Sequence, residues 1–391
     1  MQRNWINSAL RACVSEHNWS RPPDGLAETV AGRDVSALAE RADYHGVSNL
    51  AYLSLRSIES VDSETLAVLE RRYLSGNARH LRALVEIANV EEVLGERGIP
   101  WLVFKGPILA EFVYPRADLR SYLDLDIVVR RQDFATAVEA LQDEGSKLLD
   151  RNWELLLRRE VGQLHVELPF GTLADLHWHV LNRAEIRRSM TISMDDLFDR
   201  ARKVTLNDTS VLTFDPVDSL LHLCVHTALS GGVRLAWLKD IERSIASQPI
   251  SWDNVVERAR DWGVATLVAA VIARARRVFG IRKIPDDLLP ALAPSRWGRA
   301  ADAALDALWP AESIAGPRGP SVFWMRYRRE TLGVGRDTLV ARLSARGWGH
   351  IIKPAPIEPD EAVHFSIPSG DERTRAAFFD LVSGRSSRVI E

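Results

Sequence analysis

Apolar residues along 1–95 recur mostly at helical spacing. Leu38, Ala39, Ala42, Val47, Leu50, Ala51, Leu53 and Leu55 carry the pattern, and Ala67 to Leu94 continues it. Asp62-Ser63-Glu64 stand where the later helix would begin and offer its cap. The period changes after Gly98-Ile99-Pro100. Trp101–Phe104 is then a short apolar strand, and 107–114 a short helix ending near Pro115. Residues 123–129 alternate apolar and acidic positions before an apolar run, the pattern of a strand with one polar face. Gln132–Glu144 is amphipathic through Phe134, Ala135, Val138 and Leu141 and stops at Gly145. Gln163–Leu168 and Thr172–Val180 read as two more strands, and Val204–Phe214 as a hairpin around Asn207-Asp208. From Pro216 to about Arg346 the pattern is helical again, broken near Gly231-Gly232, Pro249, Gly280–Pro285 and Gly316–Pro320. The tail from Pro354 is rich in proline and charge, with one apolar patch at Ala376–Val382.

The expected fold class is therefore α+β: a small mixed β-sheet core flanked by N- and C-terminal helical regions. The division along the chain is 1–95 helical, 96–215 the α/β core, 216–350 helical, and 351–391 a tail. At 391 residues the chain is long enough to bury a sizeable core. A hydrophobic share of 46% and a charged share of 26% are ordinary for a soluble protein. The formal net charge of −3 supplies no field that would draw the chain to an anionic membrane or an extended nucleic acid. Only two cysteines, Cys13 and Cys224, are present, which excludes a disulfide framework and fits a reducing compartment. Met1-Gln2-Arg3-Asn4-Trp5 lacks the apolar run of a signal peptide, so the cytoplasm is the expected location. The longest apolar run, Val264 to Ala273, falls well short of the ~20 residues that span a bilayer.

The candidate chemistry concentrates in the core. Side chains two apart on a strand point the same way, so Asp124 and Asp126 project together, opposite Leu123, Leu125 and Ile127. Like charges held that close repel and raise each other's pKa unless a cation or a proton sits between them. A divalent metal is the natural neutraliser, and carboxylate oxygens are what Mg²⁺ selects. Asp-x-Asp also occurs on solvated strand edges, but the apolar frame on both sides here argues for an interior strand. In Leu173–Val180 the same alternation aligns Asp175, His177 and His179 against Leu176, Trp178 and Val180. If this strand neighbours 123–129, Asp175 supplies a third carboxylate, the arrangement that supports in-line phosphoryl or nucleotidyl displacement on a metal pair. The plain alternative is the wet face of an antiparallel sheet. Glu167, in His165-Val166-Glu167-Leu168, competes as the third ligand. A zinc site on His177 and His179, and with it a zinc hydrolase, would need further ligands that the sequence does not identify. Lys105-Gly106, about eighteen residues before the acidic strand, stands where a strand enters a helix. There Gly106 permits close backbone approach, helix-start amides favour anions, and Lys105 adds a point charge. Arg120 either meets a phosphate or pairs with Asp118.

These blocks, Phe104-Lys105-Gly106-Pro107-Ile108-Leu109-Ala110, Tyr114 to Val129 and Ala174-Asp175-Leu176-His177-Trp178, resemble the uncharacterised nucleotidyltransferase family of the DNA polymerase β-type superfamily. Pro216 to Leu223 with His226, Arg234 to Ile241, and the lead-in His45-Gly46-Val47 are similar to the family's helical regions, so the resemblance spans roughly 30–245. There are two departures: Lys105-Gly106 replaces the superfamily's usual Gly-Ser pair, and Leu123 precedes the first Asp where Gly is common. The resemblance implies a metal-dependent nucleotidyltransferase. Asp124 and Asp126 would bind two Mg²⁺ ions, with Mn²⁺ as the alternative, and Asp175 would hold the acceptor-side metal and help deprotonate the attacking hydroxyl. Lys105, the Gly106 amide and Arg120 would hold a nucleoside triphosphate such as ATP. The acceptor would be a small molecule, a peptide or a protein.

The remaining polar residues have simpler readings beside this one. His222 and His226 lie four apart on a helix and read as buried, hydrogen-bonded histidines. Arg234, Trp237 and Asp240 share a helical face and either approach the nucleotide or form a helix–core interface with an Arg–Asp pair. Arg326, Arg328 and Arg329 read as a solvated helix face. The rival to an enzyme is a non-catalytic nucleotide-binding or regulatory protein that keeps the fold; three retained carboxylates weigh against it.

Overall fold

The computed structural model describes residues 2–15, 18–316 and 365–385. The basic cluster at Arg326, Arg328 and Arg329 lies outside them. Two compact units are formed, each from three stretches of chain. One comprises Arg79–Ile108, Leu123–Ser219 and Val340–Glu391; the other comprises Met1–Ala78, Leu109–Tyr122 and Leu220–Leu339.

The first unit holds a seven-stranded mixed sheet. Its strands are β1 Trp101–Phe104, β2 Leu125–Val129, β3 Lys147–Leu148, β4 Gln163–Glu167, β5 Leu173–His177, β6 Arg202–Leu206 and β7 Thr209–Thr213. The order is β3-β4-β5-β2-β1-β7-β6. β2 lies antiparallel to β1 and parallel to β5. A strand covered on both faces reads as a near-continuous apolar run, and Leu125, Ile127, Val128 and Val129 are all fully buried. Asp126 is the one polar residue in that strand, and it is buried too.

Two strands are shorter than their pattern predicts. β2 starts at Leu125 rather than 123, because pairing begins at Leu125↔Ala174 and Leu123 ahead of it is 67% exposed. β5 ends at His177 rather than Val180. The Gly162 carbonyl there accepts from the amides of both Trp178 (3.0 Å) and His179 (3.3 Å), which closes the ladder and turns the chain. The β6–β7 hairpin forms as expected: Asn207 and Asp208 are both left-handed (φ 44° and 70°), as the favoured two-residue hairpin turn requires. The apolar patch of the tail becomes the helix Glu372–Ser383, capped by Asp371, whose carboxylate accepts from the Thr374 amide at 3.0 Å. Its Phe378 and Phe379 pack on Trp153, with ring centroids 6.0 and 5.7 Å away.

The second unit is helical. Its N-terminal helices include Ser36–Tyr44 and Ser48–Leu55, whose periodic residues Leu38, Ala39, Ala42, Leu50, Ala51, Leu53 and Leu55 are buried. Asp62 caps the helix Ser63–Glu96 by accepting from the Thr65 amide at 2.7 Å. His45 closes the start of the helix Leu235–Ser247: its Nδ1 accepts from the Leu235 amide (3.3 Å) and its carbonyl from the Ala236 amide (3.1 Å). Gly46 is left-handed (φ 69°), and an added Cβ would stand 3.2 Å from that of Ala236. Burial, with nearby Arg41, lowers the His45 pKa to about 3, so the ring is neutral and free to accept. No described helix is long and apolar enough to cross a membrane.

Candidate active site

Register decides which side chains meet. Asp126 of β2 stands beside Asp175 of β5, and Val128 beside His177. Cross-strand partners and residues two apart share a face, so Asp126, Asp175 and His177 project together from the middle of the sheet. One ligand atom from each lies within 4.8 Å of the others, the one such metal-competent cluster among the described residues.

Lys105 completes the charge pattern. It is the residue between β1 and the helix Gly106–Phe112, and it is left-handed (φ 53°), an uncommon state for a residue with a Cβ. Its Nζ donates to Asp126 Oδ1 at 2.7 Å, with the two side chains only 17% and 5% exposed. Burial alone would raise the Asp126 pKa, but the Lys105 ammonium and His177 outweigh it and hold the carboxyl well below the usual range. Burial likewise opposes the Lys105 charge, yet the Asp126, Asp124 and Asp175 carboxylates raise its pKa. Asp175 goes the other way: burial raises its pKa, and the charge of Asp126 adds to the rise against the pull of His177. His177 Nε2 is 3.5 Å from Asp126 Oδ1, beyond good hydrogen-bond range, and neither ring nitrogen has a hydrogen-bond partner.

Asp175 is held from the far side by β4, in which Gln163 pairs with His177 and His165 with Asp175. Gln163 Nε2 donates to Asp175 Oδ2 at 2.7 Å, and His165 Nε2 lies 3.7 Å from Oδ1. His165 is itself fixed by buried Asp150, which lies 2.9 Å from its Nδ1 and accepts from its backbone amide at 2.8 Å. Burial lowers the His165 pKa, but Asp150, with Asp175 and Asp124, raises it to about 9. Gly162, just before β4, admits no side chain: a Cβ there would sit 2.4 Å from the Leu181 carbonyl oxygen.

The other sequence candidates fall in several places. Asp124, ahead of β2 and half-buried, is not one of the three clustered ligands, although its charge acts on Lys105 and His165. Glu167 faces Lys147 at 2.7 Å. His179 lies beyond the strand, where its Nδ1 accepts from the Leu181 amide at 3.0 Å, and burial with nearby Arg187 lowers its pKa to about 3. A paired His177–His179 zinc site therefore does not form. Gly106 is the first residue of its helix, and the left-handed turn falls on Lys105 instead.

Arg120, in the helical unit, forms an ion pair with Asp240, a partner other than the expected phosphate or Asp118. Its Nε and Nη2 donate to Asp240 at 2.9 and 3.0 Å, and Tyr114 donates to the same carboxylate at 2.8 Å. Asp118 is taken by Arg116 and by the Tyr73 hydroxyl. Asp240 thus finds its arginine outside its own helix, while Arg234 lies over the rings of Tyr44 and Trp237 (5.7 and 5.1 Å). His226 meets Trp237 edge-on with centroids 5.4 Å apart. Sequence reasoning missed His177 as a member of the Asp126–Asp175 cluster, and missed Gln163, His165 and Asp150 as its support. The alternation of β4 was visible; its partner strand was not.

Two carboxylates and a buried imidazole without a hydrogen-bond partner, converging beside a lysine, form a donor set that can hold a divalent cation next to an anion. A family model described as an uncharacterised nucleotidyltransferase matches residues 31–280. Among solved structures, similarity is found to the antibiotic-resistance factor ANT(2'')-Ia, at 12% identity and a TM-score of 0.32, over 51% of this chain and 95% of that one. An antigenic nucleotidyltransferase-like protein from Paracoccidioides brasiliensis is similar at 14% identity and a TM-score of 0.30, over 54% and 91%. At scores this low neither likeness bears on the activity. A search of curated proteins finds no match.

Proposed function

The chain belongs to the uncharacterised nucleotidyltransferase family, and we propose that it moves a nucleoside monophosphate from a nucleoside triphosphate to a hydroxyl-type acceptor, releasing pyrophosphate, with a divalent metal held at Asp126 and Asp175. The observation that carries this reading is the register of β2 and β5, which sets the two carboxylates side by side on one buried face. The orphaned ring nitrogens of His177 at the same point fit a metal better than they fit a closed polar core. A divalent metal bound there would supply charge neutralisation at the reacting phosphate.

The protein's own groups divide the remaining work. Lys105 carries the positive charge that a triphosphate needs, and the Gly106 amide opens a helix beside it. Asp124, close enough to act on Lys105, is the carboxylate for the triphosphate side. Asp175 suits the acceptor side: burial has raised its pKa, so it takes a proton from a hydroxyl more readily than an ordinary carboxylate. Gln163 and His165 fix the direction in which it does so. Arg120 commits its guanidinium to Asp240, and we assign it no phosphate.

The test is a screen of the four nucleoside triphosphates with Mg²⁺ or Mn²⁺, reading pyrophosphate release with and without cell extract as acceptor source. Release dependent on metal and on Asp126 supports transfer. One observation favours a second reading, a non-catalytic nucleotide-binding or regulatory protein: Lys105 already neutralises Asp126 without a metal. Nucleotide binding without pyrophosphate release under every condition would establish that reading and overturn the first.

A further inference from the structure

We infer that His177 is a direct metal ligand in the Asp126–Asp175 cluster and makes the site select Mn²⁺ over Mg²⁺; this rests on the metal-dependent reading above. The side chain of His177 is 5% exposed, and neither of its ring nitrogens has a hydrogen-bond partner. A buried imidazole left unsatisfied in a folded protein calls for an explanation, and a bound ion is one of the few available. The ring is aimed into the cluster, because it shares a sheet face with Asp175, whose register partner is Asp126. Its Nε2 lies 3.5 Å from Asp126 Oδ1, too far for a strong hydrogen bond. Two neighbouring ligands of one ion with bonds of ~2.1 Å stand ~3 Å apart, so a small inward shift would let both coordinate. Phe104 packs against the ring, with centroids 5.4 Å apart and the planes tilted by 60°.

The donor set decides the metal. Three carboxylates would present only hard oxygens and suit Mg²⁺. Asp124 is not among the three clustered groups, and the third donor there is a nitrogen. Mg²⁺ gains little from imidazole, whereas first-row transition ions bind it well; of these, Mn²⁺ also accepts carboxylate and phosphate oxygens readily.

The experiment uses the full chain without nucleotide. Mn²⁺ binding is measured by electron paramagnetic resonance and Mg²⁺ by competition, in wild type, His177→Gln and His177→Ala, with circular dichroism confirming the fold of each variant. Electron spin-echo modulation of the bound Mn²⁺ should show a coupled nitrogen in wild type, a result that needs no variant. Both variants should lose that coupling, and their preference for Mn²⁺ over Mg²⁺ should fall by roughly tenfold or more, while Mg²⁺ affinity changes little. Bound Mn²⁺ with oxygen-only couplings, or a preference unchanged in folded variants, would overturn the inference. If that happened while metal-dependent pyrophosphate release persisted, the transfer reading would stand without it. If wild type bound neither ion and released no pyrophosphate, both would fail.

Discussion

Replacing Asp126 by Asn in the metal-free protein should lower its stability, whereas Asp175→Asn should leave it equal or higher. Repulsion between Asp124 and Asp126 alone would give Asp126→Asn the opposite sign. The structure reverses it because Lys105 Nζ sits 2.7 Å from Asp126 Oδ1 in a largely buried pair. Removing one partner of a buried ion pair costs about 3–5 kcal/mol, since the other charge is stranded. Lys105 keeps Asp124 and Asp175 as electrostatic neighbours, so the value of one charged hydrogen bond, about 2 kcal/mol, is the better estimate. In a thermal melt with EDTA near neutral pH, that corresponds to a fall of roughly 4–8 °C. The Asp126 pKa is depressed in the folded state. Its stabilisation is therefore present above the ordinary carboxylate range and is lost as pH falls through the folded pKa, so the gap between wild type and Asp126→Asn should close on acidification. Asp175 has a raised pKa, so its charge costs stability at neutral pH and removing it does not. A double-mutant cycle with Lys105→Met should return a coupling of about 1–2 kcal/mol. An Asp126→Asn protein that melts at or above wild type would show that like-charge repulsion governs the site and would refute this account.

Four further outcomes are expected. The His165 pKa of about 9 lies above the ordinary histidine value of 6.5, so the stability gained from its bridge is complete below the lower value and is lost as pH rises through the higher. Wild type should be more stable than His165→Gln at pH about 6 and match it by pH about 10 in chemical denaturation; a gap independent of pH would contradict this. Asp175→Ala should cut turnover by roughly 10²-fold or more while nucleotide binding survives, and Glu167→Ala should cost little; a turnover assay that ranks them in reverse would move the acceptor-side carboxylate to Glu167. Gly162→Ala should destabilise by about 1–3 kcal/mol, because its Cβ would stand 2.4 Å from a backbone carbonyl; an unchanged denaturation midpoint would mean that the turn before β4 yields freely. Divalent metal with nucleotide should raise the melting temperature by mass action, and an equal rise in Asp124→Asn/Asp126→Asn would place the nucleotide elsewhere.

What the chain dictates locally was readable from it. The helical spacing of Leu38 to Leu55 marks a buried face, Asn207-Asp208 marks a turn that needs two left-handed residues, and alternation across 163–168 and 172–180 marks two strands, the second of which ends at His177. The buried face and the strands follow from the fixed period of the backbone, and the turn from the tolerance of Asn and Asp for left-handed φ; a dozen residues suffice to display either. Which strand lies beside which is not a local property. Asp126 meets Asp175 only because β2 and β5 pair in parallel, and that same register brings in His177 and leaves Asp124 ahead of the first pair. The left-handed turn at Lys105 is likewise stabilised by the carboxylate it reaches rather than by its own propensity. Arg120 finds Asp240 at a separation of 120 residues, passing over the much closer Asp118. Periodicity thus fixes which residues point inward from each element, while the partner of each inward polar group is chosen by packing the whole chain. A buried charge has no acceptable state until its partner is in place.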